Sequence, residues 1–478
     1  MQKENFIIVG SGISGLLSAL VIARKNKNAK IYVIEKNKEI GGLLRRFYYG
    51  EEYGSFDYGM HNLLETGEKE LDDLIFSLLP KNEWQLLEGK KRDLAGIFFN
   101  GVLQYNTPYI DVRNLGEDES QKCISDFFTH INKVPYLKKE EEVLKNAEQY
   151  AFDRFGKYTA FKTVIPSVEK IHQKPAKELD YMASIFTPMS RIAMFDEPLI
   201  NDITKSDVLR DRIAFSDQRN LPLTKSSGRK AFYPARYGMY RVIEGFVNEL
   251  KKYDVELLDN SELKTVSITN DKISSVSIVN GDRTIEVENI SQFIWTGGVA
   301  ILGKLLNVTM NDLGFDKALK TTVVSILIDK PLNMGDLYYF FCYQSGFHTY
   351  RLNNFTAYCD EAPRNGYYPI SIELLMSDQE IASADKTFEE IAIDELHRFK
   401  ILQPETKIVF AKAEPLDSGF PMPSVKNIQS LNTIRNRIKN LQLKNLYMFG
   451  ILAEPNLFFQ TDVLRHTYLK LNNHESNA

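Results

Sequence analysis

Residues 6–15 read Phe-Ile-Ile-Val-Gly-Ser-Gly-Ile-Ser-Gly, a short apolar run that passes into three closely spaced glycines. An apolar run of this length is typical of a strand buried in a parallel sheet. Apolar residues then recur at helical spacing between Gly15 and Arg24, and residues 30–35 return to strand character. Together these segments predict a β-α-β unit, because the crossover is long enough to join two parallel strands.

The glycines Gly10, Gly12 and Gly15 form the pattern G-x-G-x-x-G at the turn from strand to helix. In this context the first permits a tight turn, the second lets the backbone approach a pyrophosphate, and the third allows close helix–strand packing. The start of the helix adds free N–H groups and a positive dipole end. Glu35 ends the second strand, where a carboxylate can bind ribose hydroxyls and disfavours a 2′-phosphate. The alternative is a glycine loop that only turns the chain, but the combination predicts a Rossmann-type dinucleotide site.

The composition argues against several classes of protein. The chain has 478 residues, enough for more than one domain, and its net charge of −4 provides no basic field for nucleic acid. The three cysteines, Cys123, Cys342 and Cys359, fit neither a disulfide framework nor a zinc site. An uninterrupted apolar stretch of about 20 residues is absent from the sequence. We therefore expect a soluble cytoplasmic protein without a metal site, a nucleic-acid partner or a transmembrane segment.

Beyond the N-terminal unit, the sequence pattern predicts helices first and sheets later. Residues 120–185 are largely helical in character with a break at Pro166, and residues 204–230 are expected to form a long surface loop. The pair Asn280-Gly281 marks a hairpin turn between two expected strands. Further strands are expected at 255–257, 265–268, 273–278, 284–287, 370–375 and 446–449, a second sheet within 321–358, and helices at 240–250, 388–398 and 462–471.

A second glycine pair indicates which dinucleotide is bound. Gly41-Gly42 follow Glu35 and lead into Leu-Leu and the basic pair Arg45-Arg46. This arrangement resembles the flavoprotein group that contains monoamine oxidases, protoporphyrinogen oxidases and UDP-galactopyranose mutases, in which the ligand is FAD. Glycines let backbone N–H groups reach phosphate, and either arginine can add charge-assisted bonds.

Later segments extend the resemblance over nearly the whole chain. Tyr237 and Ile451 depart from the family pattern, because a glycine and an arginine are usual at those places. The matching segments are Phe56–His61, which resembles the "F-D-x-G-x-H" stretch close to the flavin, Phe98–Pro108, Phe232–Met239, and Leu446–Gly450 with Thr461-Asp462 at a helix start.

The resemblance implies an α/β fold that combines a discontinuous Rossmann-type FAD-binding domain with a mixed-sheet and helical substrate domain. The FAD-binding domain is expected at 1–85, 231–300 and 441–478, and the substrate domain at 86–230 and 301–440. The residues expected to bind FAD are Gly10, Gly12, Ile13, Ser14, Gly15, Glu35, Lys36, Gly41, Gly42, Leu43, Arg45, Gly59, His61, Gly450, Thr461 and Asp462.

Two residues are candidates for the chemistry. His61 follows the "F-D-x-G" segment and is expected to face the flavin or the substrate, with a hydrogen-bonded structural histidine as the alternative. Arg351 lies in a segment that corresponds to one supplying an arginine for a substrate diphosphate in the sugar mutases. The alternative for Arg351 is an exposed arginine without a ligand.

Three functions remain open at the level of sequence. The leading hypothesis is an FAD-dependent oxidoreductase of the amine oxidase and protoporphyrinogen oxidase type, which passes a substrate hydride to flavin N5. The second is a flavin-dependent mutase-like enzyme that acts on a nucleotide-linked sugar in polysaccharide biosynthesis. The third is a non-catalytic binding protein of the GDP-dissociation-inhibitor type. In each enzyme hypothesis the partner is a small-molecule substrate.

Overall fold

The computed structural model describes residues 3–92, 94–133, 146–221, 229–416 and 419–473. The chain forms two compact units, and each unit is built from separate stretches of sequence. The first unit contains Met1–Leu86, Arg229–Gly314 and Gln429–Ala478, and the second contains Leu87–Gly228 and Phe315–Ile428.

The strands of the described residues are, in chain order, β1 Glu4–Val9, β2 Ala29–Ile34, β3 Arg46–Tyr48, β4 Ser55–Asp57, β5 Leu63–Leu64, β6 Trp84–Leu86, β7 Ala95–Phe99, β8 Val102–Gln104, β9 Ala231–Pro234, β10 Val255–Leu258, β11 Ser261–Thr269, β12 Lys272–Asn280, β13 Arg283–Glu288, β14 Ile290–Trp295, β15 Lys320–Ile328, β16 Tyr339–Cys342, β17 Thr349–Asn354, β18 Tyr368–Met376, β19 Ile408–Pro415 and β20 Leu446–Met448.

The α-helices of the described residues are α1 Ile13–Lys25, α2 Gly50–Tyr53, α3 Lys69–Phe76, α4 Glu117–Lys133, α5 Ala147–Phe155, α6 Lys157–Lys162, α7 Val164–His172, α8 Met182–Phe186, α9 Glu197–Ile203, α10 Asp207–Arg210, α11 Tyr240–Leu250, α12 Val299–Leu305, α13 Asp378–Ser383, α14 Phe388–Arg398, α15 Val425–Asn440 and α16 Gln460–Asn473.

A five-stranded sheet forms the centre of the first unit. Its strand order is β10-β2-β1-β14-β20, and every neighbouring pair is parallel. β1 lies in the middle, which explains why Phe6, Ile7 and Ile8 are buried and read as a continuous apolar run. α1 connects β1 to β2, so the β-α-β unit and the Rossmann-type architecture expected from the sequence are confirmed.

An antiparallel three-stranded sheet, β11-β12-β13, packs in the same unit. β12 and β13 pair as a hairpin in which Asn280 faces Arg283, and Gly281 takes a φ of +57° in the turn, as the sequence predicts. Asn445, just before β20, is buried at 3% exposure and attaches this sheet to the five-stranded one. Its Oδ1 accepts the Ile273 N–H at 2.9 Å, and its Nδ2 donates to the carbonyls of Ile273 and Ile290 at 2.9 and 3.0 Å.

Replacement of Asn445 by alanine is expected to remove the side-chain partner of three buried backbone groups. An unpaired buried group costs about 1–3 kcal/mol, so N445A should lower the free energy of unfolding by roughly 3 kcal/mol. A thermal or urea denaturation curve measures this loss, and hydrogen exchange at the Ile273 amide should accelerate. The exposed Asn248→Ala on α11 is the control, and an equal effect of both variants would contradict the bridging role of Asn445.

Two helices extend the first unit beyond the expected boundaries. Val299 and Leu302 of α12 and Ile434 and Ile438 of α15 belong to the same apolar core as Phe293 of the central sheet. Residues 301–314 and 429–440 therefore lie in the first unit, whereas the sequence analysis assigned them to the substrate domain. The physical reason is the apolar face of each helix, which is buried against the central sheet.

The second unit is built on a seven-stranded sheet with the order β19-β15-β18-β17-β16-β7-β8. β16 and β7 run parallel and the other neighbours are antiparallel, which confirms the expected mixed sheet. On one face, Ile372 and Leu374 share a core with Leu396 of α14. On the other face, Phe341 of the sheet shares a core with helical residues such as Phe155.

The predicted helix break at Pro166 is wrong. The chain turns at Thr163, between α6 and α7, and Pro166 lies in the first turn of α7. Proline is tolerated there because an N–H in the first turn of a helix has no partner within the helix.

The predicted surface loop over residues 204–230 is wrong in its first part. α10 begins at Asp207, and Ile213, Ala214 and Phe215 are buried. Ile213 pairs with Ile192 in a parallel bridge and belongs to the core of the second unit. A short apolar triplet within a polar stretch is a weak signal, which is why the pattern indicated a loop. Residues 222–228 lie outside the described residues.

Candidate functional site

The glycine loop lies at the carboxyl edge of the central sheet. Gly10 has a φ of +98°, and a Cβ at Gly10 would collide with Thr296 Oγ1, while a Cβ at Gly15 would collide with the Gly10 carbonyl. Gly12 differs from both, since a Cβ there would meet no atom of the described residues within 4 Å. The loop therefore needs its outer glycines for packing, and it leaves room at Gly12, where α1 begins. The expected binding residues Ile13 and Ser14 form the first turn of α1.

Glu35 is buried at the end of β2 and accepts four hydrogen bonds. Its Oε2 accepts the Ser11 N–H at 3.1 Å and the Ser11 hydroxyl at 2.6 Å. Its Oε1 accepts the Asn37 N–H and the Asn37 side-chain amide, both at 2.9 Å. Sequence reasoning singled out Glu35 but missed Ser11 and Asn37. The sequence offers one weak signal for each. Ser11 has a hydroxyl between the first two glycines of the motif, and Asn37 has a side-chain amide two residues after Glu35.

The second glycine pair packs directly against the first loop. The Gly41 N–H donates to the Ser11 hydroxyl at 3.2 Å, and a Cβ at Gly42 would lie 2.9 Å from the Gly12 Cα. Both glycines have positive φ, +125° and +58°, which favours residues without a Cβ. The structure thus brings the two glycine segments and the terminal acid of β2 together.

Arg45 is fixed beside this pair. Its Nε donates to the Gly42 carbonyl at 2.9 Å, and its guanidinium carbon lies 4.9 Å from the centroid of the Tyr58 ring. Lys36 and Leu43, also expected at the cofactor, have exposed side chains. Exposure of these two side chains gives no structural reason for a place in the site.

The C-terminal segment returns to the same edge of the sheet. Gly450 follows β20 with a φ of +103°, and a Cβ there would lie 2.6 Å from the Thr296 carbonyl oxygen. Because Gly10 contacts the same threonine, Gly450 lies close to the first loop. Thr461 is buried and Asp462 is exposed in the first turn of α16, where a negative charge is favourable for the helix.

The segment expected near the flavin is attached to the turn before α11. Asp57 Oδ2 accepts the Tyr233 hydroxyl at 2.6 Å, and Oδ1 accepts the Met239 N–H at 3.0 Å. Tyr237, which stands where a glycine is usual, accepts the Asp57 N–H at 3.0 Å through its hydroxyl. This departure from the family pattern therefore has a structural role. His61 is half-buried between β4 and β5 of the first unit.

Gly59 precedes His61 and has a φ of +151°. This backbone conformation strongly favours glycine, because a Cβ is poorly accommodated there. The conformation of the segment that leads to His61 therefore depends on this residue.

Arg351 lies in the second unit, on β17, and is held by Glu373 of β18. The Glu373 Oε1 accepts Arg351 Nε at 2.9 Å, and Arg351 Nη2 lies 2.7 Å from the same oxygen. The rings of Tyr339 and Tyr350 flank the guanidinium at 5.7 and 5.9 Å. Burial lowers the pKa of Arg351, but the facing Glu373 carboxylate outweighs it and holds the pKa above its ordinary value. The alternative of an exposed arginine is wrong, since the side chain is only 17% exposed.

An irregularity in β17 decides where Arg351 points. Thr349 pairs with Leu374, but Arg351 pairs with Glu373, so β17 contains one more residue than β18 over this stretch. The alternation of the β17 side chains between the two faces of the sheet is therefore interrupted between Thr349 and Arg351. The buried carboxylate of Glu395 in α14 fixes the backbone at this irregularity. It accepts the N–H groups of His348 and Thr349 at 2.6 and 2.8 Å and the Thr349 hydroxyl at 2.5 Å. The ammonium of the half-buried Lys170 in α7 donates to the carbonyl of Thr349.

Glu395→Ala is expected to destabilise the start of β17 in the second unit. Three donors would lose a charged acceptor, so the free energy of unfolding should fall by about 3 kcal/mol or more. Glu390→Ala on the same helix removes only the exposed side of a capping box and should cost about 1 kcal/mol or less. Thermal denaturation of both variants measures the difference. Similar melting temperatures would show that Glu395 does not hold the strand.

Comparisons with known proteins agree with this architecture. Residues 8–75 match the family of NAD(P)-binding Rossmann-like domains. The 1-hydroxycarotenoid 3,4-desaturase of Flavobacterium sp. (strain P99-3) is 23% identical over 296 residues, which cover 59% of this chain and 55% of that enzyme. The match therefore spans little more than half the length of the desaturase.

Solved structures resemble the chain over its full length. Reduced UDP-galactopyranose mutase superposes with a TM-score of 0.75 at 15% identity, covering 100% of this chain and 95% of that one. A protein from Exiguobacterium sp. 255-15 assigned as a protoporphyrinogen oxidase gives 0.70 at 15% identity, with 100% of both chains covered. Putrescine oxidase bound to putrescine gives 0.62 at 13% identity, again over 100% of both chains. The chain has the fold that these three proteins share. At the level of fold, the resemblance inferred from the sequence motifs is confirmed.

The described residues were also compared with the requirements of a metal site, a reactive thiol and a membrane span. Within the described ranges, no three His, Cys, Asp or Glu side chains are grouped so that they could hold a metal ion. All three thiols are buried, and burial raises the pKa of Cys123 and of Cys342 to about 11. Among the helices that the structure describes, none is long and apolar enough to cross a membrane.

Proposed function

We propose that the chain binds FAD at the carboxyl edge of its five-stranded sheet and works as an FAD-dependent oxidoreductase on a small-molecule substrate. One observation carries the proposal. The Gly10–Gly15 loop, Glu35 and Gly41-Gly42 meet at this edge, they are joined through Ser11, and Gly12 faces open space. A glycine loop that only turned the chain would require neither the buried acid nor the second glycine pair.

The groups at this edge fit the adenosine diphosphate half of FAD. The first turn of α1 contains no acidic residue, so its N–H groups and dipole favour a pyrophosphate near Gly12. The buried Glu35 carboxylate suits ribose hydroxyls and repels a 2′-phosphate. The N–H of Gly42 and the guanidinium of Arg45 are further candidates for phosphate contacts.

A bound flavin supplies a hydride acceptor, so the protein has only to bind and orient the substrate. In the first unit, His61 is proposed as a hydrogen-bonding imidazole. In the second unit, Arg351 is proposed as a cation that binds an anionic group. Gly59 keeps the backbone beside His61 in a conformation that strongly favours glycine. Glu373 fixes the guanidinium plane of Arg351. The remaining residues proposed for FAD are Ile13, Ser14, Lys36, Leu43, Gly450, Thr461 and Asp462.

The charge and the surroundings of the Arg351 guanidinium favour a second candidate function. The half-buried Arg351 guanidinium stays charged and lies 5.7 and 5.9 Å from the centroids of two tyrosine rings, and such a group can bind a substrate phosphate. A nucleotide-linked sugar carries such a group, and its isomerisation would need no net electron transfer. We therefore retain a mutase-like activity as the alternative.

Ser11→Ala should weaken FAD binding by about tenfold, because the variant loses the side-chain bonds to Glu35 and Gly41 that shape the site. Quenching of flavin fluorescence on titration of the flavin-free chain measures the dissociation constant. Ser18→Ala is the matched control, since its buried hydroxyl donates only to the Ser14 carbonyl within α1. Equal dissociation constants for the two variants would refute the role of Ser11.

The reaction is tested by anaerobic incubation of the FAD-loaded chain with amines, porphyrinogens, hydroxycarotenoids and nucleotide sugars. Bleaching of the flavin absorption band by one class is expected for an oxidoreductase. Isomerisation of a nucleotide sugar by prereduced protein only, without net electron transfer, would select the mutase. A purified chain that takes up no FAD would refute both enzymes and favour a non-catalytic binding protein.

A further inference from the structure

We propose that the side chain of Asn37 competes with the FAD ribose for Glu35, so that Asn37 limits cofactor affinity. The inference rests on the proposed FAD site and adds a residue that neither the glycine motif nor the terminal acid indicates. In this arrangement, a ribose hydroxyl replaces the Asn37 amide on Glu35 Oε1 when the dinucleotide binds.

Glu35 has no free acceptor position among the contacts that the structure shows. An ionised carboxylate offers about four lone-pair positions, two on each oxygen. Ser11 fills the two positions of Oε2 with its N–H and its hydroxyl, and Asn37 fills those of Oε1 with its N–H and its Nδ2. A ribose diol must therefore displace at least one of these donors to obtain a full hydrogen bond.

Of the four donors to Glu35, the Asn37 side-chain amide can leave most easily. The two N–H groups belong to the backbone, and the Asn37 backbone is fixed because its carbonyl accepts the Asn260 N–H at 3.0 Å. The Ser11 hydroxyl is fully buried and also accepts the Gly41 N–H, so its departure would break two bonds. The Asn37 side chain is half-buried, and rotation about its own bonds carries the amide into water.

The Asn37 amide should weaken dinucleotide binding by about the free energy of one net hydrogen bond. Displacement costs the net hydrogen bond between the Asn37 amide and Glu35, and a residue without the amide has no such cost. Removal of the amide should therefore tighten dinucleotide binding, although substitution within a binding site usually weakens it. The gain requires a ribose hydroxyl, because without one no donor has to replace the Asn37 amide.

The experiment compares Asn37→Ala with the unaltered full chain, both stripped of flavin, in titrations with FAD and with ADP. We expect N37A to bind both ligands about fivefold more tightly, the factor that one net hydrogen bond contributes. With 2′,3′-dideoxy-ADP, the two proteins should bind equally. Asn248→Ala, in the same unit, removes an exposed amide whose carbonyl oxygen accepts a bond from Lys251 and should change nothing.

The outcomes separate this inference from the proposed function. If N37A binds FAD equally or more weakly than the unaltered chain, Asn37 does not compete with the ribose for Glu35. The proposed FAD site would still stand in that case, provided that the unaltered chain binds FAD. A gain that persists with the dideoxy ligand would also overturn the competition, since the effect would not come from the ribose hydroxyls. Failure of the unaltered chain to bind FAD or ADP would overturn the site itself.

Discussion

The hydroxyl group of Ser11 joins parts of the first unit that are far apart in the chain. It donates to the Glu35 carboxylate at the end of β2 and accepts the N–H of Gly41 from the second glycine pair. Gly42 can then approach the Gly12 backbone, so that both glycine segments line one edge of the sheet. A buried carboxylate is tolerated at this edge because each of its oxygens is hydrogen-bonded. The shape of the candidate cofactor site therefore depends on this small polar network.

The second unit contains buried charges of another kind. Arg351 is paired with Glu373 on the sheet, and Glu395 holds the strand irregularity at Thr349. A buried ion pair is weak evidence for stability, because desolvation of both charges offsets much of their attraction. Orientation of the guanidinium thus explains the pair better than a contribution to folding does. This agrees with the proposed role of Arg351 in substrate binding.

Features with a local cause could be predicted from the sequence. The β-α-β unit, the hairpin at Asn280-Gly281 and the helix over 240–250 follow from periodicity and turn residues, and the structure shows them. The break at Pro166 was misplaced, because the effect of a proline depends on its position in the helix. The burial of Ile213 was missed because three apolar residues in a polar stretch have no periodicity to reveal it.

The Rossmann-type unit, the terminal acid Glu35 and the likeness to flavoproteins could be predicted from the sequence, because glycine spacing and strand ends are properties of neighbouring residues. The hydrogen bonds of Asn37 to one oxygen of Glu35 and the pairing of Arg351 with Glu373 are visible only in the folded chain. The face on which Arg351 lies depends on an irregularity at Thr349, which a carboxylate from a separate helix holds in place. Contacts between segments far apart in the chain produce no periodic pattern in the sequence. The hydrogen bonds of the site depend on such contacts.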